Sequence, residues 1–233
     1  MKKIFDLDQF QFPYNYKFPG QASDEKILYI TRENKIMLLA RRVTVIVAAG
    51  GIFLAGQALS YMLSQFQAGV SLAGLVQLAS FVFALAFLLL GWWWVSSTWK
   101  KSLALVTTKR LTKFIYTTPA SRHSLSLPLE MIVDTGAYTK GFFQTYLGLG
   151  TFTARSSAAS SGVATDDNTR INKKYFYIEN IRKAEDLQHY VAKLLAAVKK
   201  HPDHLDTFRP FIPDLKGESR AQFIKDNFPD YWS

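Results

Sequence analysis

Polar and apolar positions divide this chain into two regimes. From Val43 to Trp99, 57 residues pass without one Asp, Glu, Lys, Arg or His, between abrupt borders at Arg41-Arg42 and Lys100-Lys101. A helix needs about 20 mostly apolar residues to cross a hydrocarbon core about 30 Å thick, so there is length for two crossings and a turn. The most polar interruption, Ser64-Gln65-Phe66-Gln67-Ala68-Gly69-Val70, separates spans at 43–63 and 71–95. Core helices of soluble proteins carry charge on one face, and these carry none. A transmembrane hairpin is therefore expected in preference to a buried helix pair.

The flanks orient the hairpin. Lys and Arg collect on the cytoplasmic side and Trp and Tyr at the interfaces. The cations Arg41, Arg42, Lys100 and Lys101, with Trp92, Trp93, Trp94 and Trp99, mark the inner interface. The turn carries no cation, so both termini are expected in the cytoplasm, at the inner membrane. Met1-Lys2-Lys3 leads into Asp6, Asp8 and Pro13, not into the apolar core of a cleaved signal peptide. Gln57 and Gln77 lie ten residues either side of Gln67, which places them at equal depth in an antiparallel pair and predicts an interhelical hydrogen bond. Gly51, Ala55, Gly56 and Ser60 offer a small-residue face for close approach, answered by Ser80 and Ala84.

Beyond Lys100 the period shortens to two. Segments 100–107, 111–117 and 124–127, the neighbourhood of Ile132, Val133 and Tyr138, and segments 151–155 and 175–181 read as short strands. The glycine-bearing run 141–150 reads as a turn, and 156–169 as a polar loop. From Lys183 to Lys199, Leu187, Tyr190, Val191, Leu194, Leu195 and Val198 form one apolar stripe at helical spacing, and His201-Pro202 ends it. Ahead of the hairpin, 26–31 is a strand or helical turn, and a helix begins near 32–35. Residues 1–22 form an aromatic, Pro-containing arm that needs covering, and 201–233 an aromatic tail with a short helix near 218–227, expected to pack on the preceding domain.

Composition adds charge and excludes chemistries. The net charge is +10, with eight cations against five acids in residues 1–42 and twenty against thirteen in 100–233. Beside a bilayer this suits anionic headgroups. There is no helix-turn-helix, RNP-like motif or dense basic run, so no nucleic-acid partner is expected. Without cysteine there is neither disulfide nor thiolate metal site. His201 and His204 lack a third ligand and Asp166-Asp167-Asn168 lacks EF-hand spacing, so no metal is expected. With no G-x-S-x-G and no P-loop, neither cofactor nor enzymatic activity is expected.

Thr107-Thr108-Lys109-Arg110-Leu111 resembles the T-x-x-R turn of the bacterial pleckstrin-homology (PH) domains fused to membrane hairpins. Tyr146-Leu147-Gly148-Leu149-Gly150-Thr151-Phe152 resembles that family's LG-x-G turn, Ile181–Leu195 its closing helix, and Gly20–Arg32 its lead-in to the first span. The likeness covers residues 20–198. It departs in the long loop 156–169 and in the tail. It implies an α+β membrane protein: a two-helix transmembrane hairpin, then a PH-like bent antiparallel sheet of seven strands closed by a C-terminal helix. The expected division is an arm and lead-in helix at 1–42, the hairpin at 43–99, the PH-like domain at 100–200 and the tail at 201–233. Lys109, Arg110, Lys113 and Arg122, grouped at the first two turns of that domain, are the candidate contacts for a lipid headgroup or a partner. The expected function is a non-enzymatic membrane-anchored scaffold binding lipid, itself or another membrane protein. The rival is an accessory subunit of a transport or export complex.

Overall fold

The computed structural model describes residues 2–3, 16–66, 70–157, 175–200, 208–213, 215 and 217–227. The chain forms two compact units, Lys35–Trp99 and a second made of Met1–Asn34 with Lys100–Ser233.

The first unit is a helical hairpin of α1, Lys35–Ser64, and α2, Val70–Lys101. Both helices are long and apolar enough to cross a membrane, and of their most apolar windows only 6% and 17% is buried. They run antiparallel. Ser60 Oγ donates to Ala73 O at 2.8 Å, Phe53 meets Phe81 edge-on, and Arg42 donates to Ser96 Oγ at 2.9 Å. The small-residue seam is real at Gly56, where any Cβ would overlap the side chain of Ser80. The hydrogen bond expected between Gln57 and Gln77 does not form: Gln57 Nε2 is buried without a partner, and Gln77 is exposed. Equal depth is not equal azimuth. Gln57 stands about 100° around the helix from Gly56, which faces Ser80.

The second unit is built on seven antiparallel strands, counted among the described residues apart from the two-residue pairing of 2–3 with 16–17. The first sheet is β1 (Ile27–Thr31), β2 (Leu103–Thr107), β3 (Arg110–Tyr116) and β4 (Arg122–Pro128), in that order. The second is β5 (Ile132–Tyr138), β6 (Leu149–Ser156) and β7 (Tyr175–Arg182). The run read as a turn at 141–150 contains a one-turn helix, α3 (Phe142–Tyr146), bracketed by Gly141 and Gly148 at positive φ, where a side chain would be strained. The module expected over 100–200 thus takes a further strand from ahead of the hairpin. Thr31 is the register partner of Ala104, so the chain leaves for the helices and returns from them at one end of this sheet. Three residues link β1 to α1, and Ser102 alone links α2 to β2.

One core fills the space between the sheets and α4 (Ala184–Lys200). Leu28 and Val106 from the first sheet, Phe152 and Phe176 from the second, and Leu187, Val191 and Leu194 from α4 meet there, each almost wholly buried. The opposite face of the first sheet is covered by the arm: Phe18 packs with Ile27, Ile30, Leu103, Leu105 and Phe114. The tail closes an edge. Phe211 N–H donates to Leu28 O at 2.9 Å and its ring stands edge-on to Tyr29, while Phe208 meets Tyr190. A last helix, α5 (Gly217–Asn227), buries Ile224. The described parts of both termini therefore pack on this unit. The loop at 158–174, with the Asp166-Asp167-Asn168 run, and His201 and His204 fall outside the described residues.

If β1 is integral to the module, Leu28→Ala should cost about 2–5 kcal/mol, as deletion of a fully buried leucine does. Val133→Ala, at a position 57% exposed, should cost far less. Denaturant unfolding followed by the near-ultraviolet dichroism of the tyrosines compares them, and equal small losses would remove β1 from the core.

Candidate functional site

In an antiparallel meander successive turns fall at opposite ends of the sheet, and this disperses the four cations that the sequence groups together. Lys109 and Arg110 belong to the β2–β3 turn. Arg122 begins β4 opposite Tyr116, at the other end of a seven-residue strand pair, about 20 Å away. Lys113 lies between them on the face of β3 that carries Leu111, toward the core.

The end holding Lys109 and Arg110 is a structural lock. Glu25, 3% exposed, accepts from Arg110 Nε at 3.0 Å, from Arg110 Nη2 at 2.8 Å and from Thr107 Oγ1 at 2.7 Å. Arg110 also donates to Gly20 O, and Lys109 pairs with Asp24. Burial works to raise the Glu25 carboxyl. The hydrogen bonds from Arg110, Thr107 and the Ala22 N–H outweigh it, so the net shift is downward. These two cations hold the lead-in of β1 against the β2–β3 turn and do not form an open basic patch.

Lys113 is also engaged. Its Nζ donates to Tyr177 O at 3.0 Å and lies 4.5 Å from the centre of that ring. Burial holds its ammonium below the ordinary lysine range, against the opposing pull of Glu179 and Glu33. The Arg122 guanidinium lies over Phe114.

The end of the module from which the helices depart has its own polar hub at Asn180. Its Nδ2 donates to Glu33 Oε1 at 2.7 Å, its Oδ1 accepts from Gln144 Nε2 at 2.7 Å, and its backbone carbonyl accepts from Asn34 N–H at 3.1 Å. Asn180 holds a φ of 54°, a left-handed conformation that asparagine tolerates better than most side chains. No single-sequence signal marks Asn180, because its role depends on three segments far apart in the chain. Lys101 Nζ donates to Pro119 O at 2.9 Å at the same end. Lys100, Arg122, Lys140, Arg182 and Lys183 are carried there too, with Lys140, Arg182 at the end of β7 and Lys183 beyond it exposed.

No family model matches the chain, and no curated protein matches it. Among solved structures it is similar to a DUF1696-family protein with a pleckstrin-homology domain from Shewanella loihica PV-4. The identity is 18% and the TM-score 0.27, over 41% of this chain and 68% of that one.

Of the expected interface anchors, Trp92, Trp93 and Trp94 are 41%, 58% and 45% exposed, and the Arg42 guanidinium lies 4.4 Å from the Trp92 ring centre. Trp99 is buried, so its ring is not presented as an interfacial anchor. Among the described residues, clefts indent the β-rich unit. One of about 360 Å³ lies between α4 and the tail and mixes Asp186 and His189 with Lys193 and Arg220. Another, about 300 Å³, lies beside Tyr138, Thr145 and Glu185.

A carboxyl whose folded pKa is lowered contributes stability that is complete above its unfolded value, about 4.3, and is lost as pH falls through the folded value. Arg110→Ala removes the largest of the hydrogen bonds that oppose burial, so the Glu25 pKa moves up from its folded value. The variant should be about 3–5 kcal/mol less stable near neutrality, and the deficit should shrink as pH drops toward 4 and Glu25 protonates. Thermal unfolding of both proteins across that range measures it; a deficit independent of pH would mean that the ion pair is not the source.

Proposed function

We propose that the chain is a non-enzymatic, membrane-anchored scaffold. Its helical hairpin spans the inner membrane and holds a PH-like module at the cytoplasmic face, where the module binds protein or anionic lipid. One observation carries the reading: two helices of 30 and 32 residues leave most of their apolar surface uncovered by the chain itself. At 1.5 Å per residue each exceeds the thickness of a hydrocarbon core. Lipid is the solvent in which such a surface carries no penalty, whereas water would impose about 25 cal/mol per Å².

The architecture of the second unit supports the PH-like part. Two antiparallel sheets of four and three strands enclose one core that a C-terminal helix closes. Its links to the helices are too short for free roaming, since three residues reach about 10 Å at most. The cations at the helix-bearing end, Lys100, Arg122, Lys140, Arg182 and Lys183, suit an anionic leaflet, at about 1 kcal/mol each near its surface. Lys109, Arg110 and Lys113 drop out of the proposed contact set, because carboxylates and a carbonyl already engage them.

The absence of native cysteine makes topology directly measurable. Gln65→Cys, in the turn, should react with a membrane-impermeant maleimide on intact cells, and Glu130→Cys, in the module, only after the membrane is opened. Recovery of the chain in the soluble fraction, or labelling of residue 130 from outside, would refute the anchored scaffold. Purification in mild detergent should yield the chain with lipid or a cytoplasmic protein. A stoichiometric larger membrane complex would make it an accessory subunit instead.

A further inference from the structure

The loop between β5 and β6 carries the most exposed aromatic rings among the described residues of the β-rich unit. Phe142 and Tyr146 are 75% and 79% exposed, one helical turn apart on α3, and stacked with their planes 11° apart. Two large rings turned to water beside each other cost apolar hydration that a soluble surface avoids. The loop is not slack. Gln144 Oε1 accepts from Lys140 N–H at 2.7 Å, and its Nε2 is held by Asn180. Through Asn180 the loop is fastened to Glu33 and Asn34, and Lys35, the next residue, begins α1. The aromatic pair is thus one hydrogen-bonded side chain and one asparagine away from the first residue of a helix read as membrane-spanning. Lys140 flanks the pair, Arg182 ends the strand β7 and Lys183 follows it, all three exposed.

We propose that the loop 139–148 is a membrane-insertion loop: Phe142 and Tyr146 enter the interfacial layer of the bilayer that the hairpin spans, and the adjacent cations meet anionic headgroups. The inference rests on the anchored reading above. Its chemistry is that of interfacial anchors, with an apolar ring body below the headgroups and the Tyr146 hydroxyl at the wet boundary. A protein partner is the lesser candidate, because the loop is tied to the segment that leads into the membrane and is rimmed by positive charge. The consequence is a second attachment of the module to the bilayer, additional to the covalent one. With it, the sheet end that carries the Asn180 hub faces lipid, and the opposite end, with Glu25 and Arg110, faces the cytoplasm.

The test uses the full-length chain in vesicles of zwitterionic and anionic phospholipid. Thr145→Cys, between the two rings, carries an environment-sensitive fluorophore, and quenching by lipids bearing a spin label at a shallow acyl position is read out. Phe81→Cys in α2 reports insertion of the hairpin, and Glu130→Cys reports the opposite end of the module. Quenching at 145 several-fold above that at 130, abolished when Phe142→Ser and Tyr146→Ser are added, is the expected result. Both rings are exposed, so their removal leaves the core intact. Quenching at 81 without quenching at 145 overturns the insertion loop while the spanning hairpin stands. A blue-shifted but unquenched probe at 145 means that protein covers the loop, and overturns it too. Quenching that survives removal of both rings shows that the tether alone brings the loop close, and overturns the role given to Phe142 and Tyr146. Absence of quenching at 81 fells the spanning reading and this one with it.

Discussion

The β-rich unit depends on one backbone ladder, the pairing of Ile27–Thr31 with Leu103–Thr107 across everything that lies between them. Without it the core loses Leu28 and Tyr29, the outer face loses Ile27 and Ile30, Phe211 N–H loses the Leu28 carbonyl, and Glu25 loses Arg110. Closing the loop of roughly 70 residues from Thr31 to Ala104 would cost a flexible chain about 4 kcal/mol. Here the intervening chain is an antiparallel helical pair whose outer ends meet at Arg42, Trp92 and Ser96. Once the helices associate, the two strands start as neighbours. The ladder then forms across two links of three residues and one residue, and most of that entropy has already been spent within the hairpin.

The same ladder explains why the aromatic termini do not behave as appendages. The first sheet has two faces, and α4 with the second sheet covers only one of them. The other exposes Leu103, Leu105 and Phe114 unless something lies on it, and Phe18 does. At the edge of the sheet, β1 presents backbone groups of the kind that invite strand addition by another chain. Phe211 takes one of these groups, the Leu28 carbonyl, and fills the angle between Tyr29 and Tyr190. The Tyr190 hydroxyl, deep among apolar neighbours, donates to Arg209 O at 2.7 Å, so burial of that ring leaves its polar atom satisfied.

Much of this was legible in the residues, and for identifiable reasons. The helix stripe from Leu187 to Val198 lies within α4, because tertiary packing and helical period call for the same positions. The strands expected at 111–117, 124–127, 151–155 and 175–181 fall on those observed at 110–116, 122–128, 149–156 and 175–182, and Gly56 against Ser80 follows from the small-residue face. What stayed illegible depends on direction or on distance in sequence. Position along a helix gave Gln57 and Gln77 a common depth but not a common side. Proximity in sequence grouped Lys109 with Arg122, although one strand length separates them. The membership of Ile27–Thr31 in the module was hidden because the partner strand lies beyond the hairpin. Asn180 gave no signal, since a hub is defined by what folding brings to it.

The net charge of +10 therefore does not amount to a site. At the end of the sheet formed by the β2–β3 turn, cations meet acids from the chain that precedes β1: Arg110 with Glu25, Lys109 with Asp24. Those pairs fix the register of a strand that has only five residues with which to fix it. At the opposite end, acids are used differently. Glu33 accepts from Asn180, and Glu179 and Glu33 oppose the downward pull of burial on the Lys113 ammonium. Lys140, just past β5, and Arg182, the last residue of β7, are exposed at that end. Identical residue types thus serve cohesion at one end and leave a positive outward surface at the other. The antiparallel order of the strands decides which end receives Asp24 and Glu25, and it does so through the strand supplied from ahead of the helices.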